Sequence, residues 1–169
     1  MPTFPPLRRL ASIAATVVCI GNAQASAQGS DLPGGFRLGS SLDEAKRQAA
    51  SQGWELVPLS PEPPSSWHVN NQDIGVHVCG DKVASVSRTV PGNLDDFAQL
   101  VFDRQVRLGE PELQVVTWNA GAIRISNIDA RFPETNGLGL TIQFSSTAGK
   151  LAINTLYYSH ALCPEAGAD

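Results

Sequence analysis

The apolar positions fall first into helical spacing and then into alternation. Leu42, Ala45 and Ala49 recur three and four residues apart, with Lys46, Arg47 and Gln48 on the other side, so a helix is expected here. Ser41-Leu42-Asp43-Glu44 has the form of a capping box: the serine hydroxyl can accept from the Glu44 N–H, and the glutamate can reach back. Gly53 takes a left-handed backbone at little cost and predicts the stop. Residues 54–59 then read as a strand. Residues 58–66 carry Pro58, Pro61, Pro63 and Pro64, which cannot donate to a central ladder, so a rigid exposed loop is expected. Ile74, Val76 and Val78 alternate with Gly75, His77 and Cys79 ahead of a tight Gly80-Asp81 turn. The returning strand, 82–90, sets Val83, Ser85, Ser87 and Thr89 against Ala84, Val86, Arg88 and Val90.

A second helix is expected after Asn93, a good N-cap, with Asp95 and Asp96 at the positive end of the dipole. Leu94, Phe97, Val101 and Leu108 mark its apolar face, widened by Ala98 and Phe102; Gly109 and Pro111 end it. Residues 113–118, 122–132, 139–145 and 151–159 read as a meander of strands, with turns at 119–121 and 147–149 and a loop at 133–137. A capped helix followed by strands therefore occurs twice. The pattern predicts an α+β protein with two main helices packed on one face of a largely antiparallel sheet, in two helix-plus-strand units.

The beginning of the chain reads as an address. Arg8 and Arg9 are the only charges before Asp31, residues 10–20 form an apolar run broken by Ser12 and Thr16, and Ala25-Ser26-Ala27 is a small-x-small cleavage site. The run is shorter than the roughly 20 residues of a membrane span, and no later segment approaches that length, so no span is expected after cleavage. Arg8-Arg9 lacks the flanks of a twin-arginine signal, and Cys19 follows Thr16-Val17-Val18 rather than a lipobox. The expected organisation is a signal peptide at 1–27, a flexible lead-in at 28–35, one α+β domain at 36–163 and a disordered tail at 164–169. The expected location is periplasmic or secreted. A content of 42% hydrophobic and 17% charged residues excludes disorder of the whole chain. A net charge of −4 speaks against nucleic acid, whose phosphates need clustered Lys and Arg.

Two cysteines follow the leader, Cys79 and Cys163. In an oxidising compartment they are expected to pair, and only one intramolecular pairing exists. The neighbours of both thiols carry no charge that would make either reactive.

The segment Phe36-Arg37-Leu38-Gly39-Ser40-Ser41-Leu42-Asp43-Glu44-Ala45 resembles the opening of small bacterial envelope domains, where a Leu-Gly step leads into a capped helix. Leu108-Gly109-Glu110-Pro111 is similar to their helix exit. The outline resembles the small lipoprotein subunit of the outer-membrane barrel-assembly machinery and the β-lactamase inhibitory proteins. The resemblance implies export and binding rather than catalysis, and carries over no functional residue.

Chemistry is sparse. His77 and Cys79 share a strand face, and His160 lies three residues before Cys163, so a disulfide would draw His77 and His160 together. Adding His68 would give three imidazoles, enough for zinc or copper. There is no Gly-x-Ser-x-Gly elbow, phosphate-cradling loop or calcium-loop spacing, so no cofactor is expected. Trp54 and Trp118 sit in strand patterns and are expected in the core; Trp67 and His68 follow Pro63-Pro64-Ser65-Ser66 and are expected to be presented for contact. The reading is an exported non-catalytic binding module whose partner is another protein or envelope component. The alternatives are a metal-binding protein built on His68, His77 and His160, and a hydrolase or lyase with scattered catalytic residues.

Overall fold

The computed structural model describes residues 32–59 and 65–163. The expected signal peptide, the first part of the lead-in and the expected tail lie outside the described residues. In chain order the elements are α1 (Leu42–Ser51), β1 (Leu56–Pro58), β2 (Ser66–Val69), β3 (Ile74–Cys79), β4 (Lys82–Pro91), α2 (Leu94–Leu108), β5 (Glu112–Ala120), β6 (Ile123–Thr135), β7 (Leu138–Thr147) and β8 (Lys150–Tyr158). The eight strands form one antiparallel sheet in the order β1-β2-β3-β4-β8-β7-β6-β5. The class is α+β, with strand far outweighing helix. Each helix is followed by a four-strand meander that runs inward from one edge, so β4 and β8 meet at the centre.

Both helices start as the capping chemistry predicts. Ser41 N–H donates to Glu44 Oε2 at 2.8 Å, and Glu44 N–H donates to Ser41 Oγ at 3.2 Å. Asn93 Oδ1 accepts from the Asp95 and Asp96 N–H groups at 2.8 and 3.0 Å. Gly109, at φ 85°, takes the α2 C-cap that its lack of a Cβ allows.

The core lies on one sheet face. Side chains directly opposite one another form a row across six strands: Trp67, Val76, Val86, Tyr157, Leu140 and Phe132, all buried. Ala45 and Ala49 of α1 and Phe97 of α2 belong to the same apolar cluster. The Phe97 and Phe144 rings lie 5.9 Å apart, which seats α2 on β7. Each large aliphatic or aromatic side chain removed from water here contributes about 2 kcal/mol. The other face carries Ser85, Ser87, Thr89, Thr141, Gln143 and Asn154, the polar half of the alternation.

Four expectations change. Ser66, the last residue of the expected 58–66 loop, and residues 67–69, which the sequence pattern assigns to no strand, form β2, because the prolines precede rather than interrupt Ser66–Val69. Trp67 is consequently 7% exposed and part of the core, not presented on a loop. Strict alternation fails in β4: a bulge lets Val78 face Val83 while His77 faces Ser85. The extra residue, Ala84, turns Val83 onto the same buried face as Val86. Residues 32–35, expected to be flexible, form a 3-10 turn at Pro33–Gly35, anchored by buried Leu32.

Candidate functional site

Cys79, the last residue of β3, is bonded to Cys163, with Cα atoms 5.5 Å apart, as the compartment argument expects. The alternation of β3 puts His77 beside the bond. His77 Nε2 lies 3.5 Å from Cys79 Sγ and 4.0 Å from Cys163 Sγ, and its Nδ1 lies 3.3 Å from Ser66 Oγ on the neighbouring strand.

The three expected metal-ligating histidines do not converge among the described residues. His160 turns to Glu134, its Nδ1 2.8 Å from Oε2, and stacks edge-on to Tyr158 at 4.8 Å. His68 is half-buried on β2 with Cα opposite Gly75, and its Nδ1 has no hydrogen-bond partner among the described residues. The group of metal-capable atoms that does gather is His77, Cys79 and Cys163, within 4.8 Å of one another. Two of its three members are joined as a disulfide, and a disulfide sulfur is not the thiolate that binds zinc or copper. The physical reason for the correction is direction: the disulfide brings Cys163 to His77, but the intervening turn at His160–Leu162 points His160 toward the end of β6 instead.

The carboxylates also have structural partners. Asp129 is buried on the polar sheet face, where Gln143 Nε2 donates to it at 2.9 Å and Arg131 pairs with it at 3.3 Å. Ser159, His160 and Glu134 come together, but in an unproductive order. Glu134 engages both the Ser159 hydroxyl, at 3.5 Å, and the His160 ring, at 2.8 Å. A hydrolytic triad needs the imidazole between nucleophile and carboxylate, in hydrogen-bond reach of the hydroxyl; no such contact joins Ser159 to His160.

The feature with the greatest departure from ordinary packing lies elsewhere. Of eleven exposed large hydrophobic side chains among the described residues, nine fall between residues 94 and 123. They belong to α2, to β5 and to the start of β6. Every residue of β5 is exposed, and the strand pairs on one side only, with β6. Leu113 is 63% and Val115 72% exposed, although they stand opposite Ala130 and Ile128 on the sheet face that the helices cover. The cause is the seat of α2 on β6 and β7, which leaves the edge strand beyond its reach. On the other face Trp118 is 43% exposed, against the expectation of a core position. Phe102 and Val106 add apolar area to the outer side of α2.

The two sheet edges differ in their protection. At one, β1 is three residues long and ends on Pro58. At the other, β5 is nine residues long, and residues 113–120 contain no proline and no charge. Short strands, prolines and lysines are the usual guards against edge pairing; β1 has two of these devices and β5 has none. The sequence carried this signal as Leu-Gln-Val-Val-Thr-Trp, but a partly apolar strand reads the same whether core or partner is to cover it. No protein-family model, curated protein or solved structure matches this chain.

Proposed function

We propose that this chain is an exported, non-catalytic binding module that takes an extended strand of a protein partner onto β5. The observation that carries the reading is the long β5 edge, uncharged after Glu112 and without proline or lysine, with apolar side chains uncovered on both faces. A partner strand would satisfy the outward backbone N–H and C=O groups, while Leu113 and Val115 on one face and Val116 and Trp118 on the other would select its side chains. Because residues 113–120 carry no charge, the fitting strand is itself uncharged and largely apolar. Export is supported by the three-part pattern of residues 1–27 and by the disulfide, a bond typical of oxidising compartments. The likeness in outline to small envelope binding domains belongs to the same proposal.

A photo-crosslinking residue at Thr117 tests the reading in the exported fraction of the producing cell. It is expected to give a discrete crosslinked protein that disappears when Val115→Lys places a charge on the edge. Sedimentation of the purified protein separates a second copy of the chain from a different partner. A β5 that stays uncrosslinked on a protein sedimenting as a monomer would overturn the proposal. N-terminal sequencing is expected to read Gln28 first; a mature chain beginning before residue 20 would remove the export half alone.

A further inference from the structure

A cavity of about 300 Å³ lies at the C-terminal end of α2, between that helix, the β6–β7 turn and Leu32, which precedes the 3-10 turn at Pro33–Gly35. Its apolar wall includes Leu32, Leu138, Leu140 and Tyr157, and Arg104 and Arg107 also line it. Arg104 belongs to the inward stripe of α2: it stands seven residues after buried Phe97 and three after half-buried Val101, and it is half-buried itself. Among the described residues neither arginine has an ion-pair or side-chain hydrogen-bond partner; the ion pairs present are Arg131–Asp129 and His160–Glu134. Arg107 is accounted for in part by its place in the last turn, where a cation offsets the negative end of the helix dipole. That argument does not extend to a half-buried Arg104 facing an apolar wall, where a guanidinium without an anion is poorly solvated.

The geometry points to a binding site for a single-headed anionic amphiphile, a carboxylate or phosphate ester with a short unbranched apolar chain. The head sits on Arg104 and Arg107, whose planar guanidinium forks match such oxyanions bidentately. The tail lies against Leu32, Leu138, Leu140 and Tyr157. A volume of about 300 Å³ is at the small end of ligand pockets, which suits a short-chain amphiphile such as octanoate. This site is separate from the β5 edge, and either can stand without the other.

Calorimetric titration of the protein with octanoate, octyl phosphate and octanol tests it. Saturable binding of one anionic ligand per chain is expected, weakening about tenfold in Arg104→Gln and falling as salt rises from about 0.05 to about 0.5 M. The comparison of octanoate with octyl phosphate identifies the preferred head. Arg107→Gln, at an exposed position, is expected to weaken binding too, and it decides the matter if Arg104→Gln does not fold. Val115→Lys is expected to leave binding unchanged. Octanol binding as tightly as octanoate, arginine variants that bind normally, no saturation by either anion, or a loss in Val115→Lys equal to that in Arg104→Gln would each overturn the proposal. The last result would move the ligand to the β5 surface.

Discussion

The two halves of the molecule share an order of elements and differ in how they treat their outer strand. In the first, α1 touches β1 as well as β4, so its cover reaches the edge of the sheet. Its core-facing residues, Ala45 and Ala49, are small and fully buried, which permits close approach. In the second, α2 is five residues longer, sits on β6 and β7, and leaves β5 uncovered. The disulfide adds to the asymmetry, because it ties β3 of the first half to the chain just past β8. The same plan thus closes one edge and leaves the other open. An apolar face that a fold could cover and does not is the kind of surface that marks an interaction site.

Two tryptophans give the sharpest contrast. Trp67 is 7% exposed in β2, with the Lys46 ammonium 4.9 Å from its ring centre. Trp67→Ala is expected to cost about 4 kcal/mol through lost burial and the cavity left behind. Trp118→Ala, at the open edge, is expected to change stability by no more than about 0.5 kcal/mol. Urea denaturation of the two variants checks both. Equal losses would mean that β5 is covered in the isolated chain and that the difference between the halves is not real.

Next in size is the staple. The bond closes a loop with a sequence separation of 84 residues, and replacing both cysteines by serine is expected to cost about 3 kcal/mol, mainly by freeing the unfolded chain. The double variant should retain the exposed β5 edge and whatever binds there, since neither sulfur lies near it in the sheet order. A melting temperature unchanged by reduction would show that the first half holds together without its covalent tie.

The parts of this fold that were legible in the sequence are those fixed by local chemistry. Ser41, Glu44, Asn93 and Gly109 specify helix ends through groups within four residues of each other, and the structure places all four as expected. The 147–149 turn was legible for the same reason, with Ala148 and Gly149 at φ 50° and 80° in the left-handed form that hairpins require. What escaped were properties decided by distant neighbours. A bulge is invisible in Val83-Ala84-Ser85-Val86, because only the pairing with β3 shows that Ala84 is the extra residue. Trp67 and Trp118 exchanged their expected places because burial depends on which strand is central and where each helix lands. The disulfide was legible by elimination, but the turn of His160 away from His77 was not, since it depends on Glu134, 26 residues earlier.

A smaller loss than that of the staple is expected at the helix that closes the protected edge. The Glu44 carboxylate is held below the ordinary carboxylate range, chiefly because it accepts the Ser41 backbone N–H; loss of water around it works the other way, while the Ser41 hydroxyl, Arg37 and Arg47 add to the lowering. A carboxylate whose folded-state pKa lies below its unfolded value stabilises the fold above the unfolded value, and that contribution is lost as pH falls through the folded one. Removing the other half of the box, Ser41→Ala, is expected to cost about 1 kcal/mol at neutral pH. Glu44→Gln should also be less stable than the native chain at neutral pH, by an amount that shrinks toward zero on acidification below the carboxylate range. Urea midpoints of the native chain and this variant at about pH 7 and about pH 3 measure the closing gap. A difference that stays constant between the two would mean that Glu44 acts on α1 through packing rather than charge.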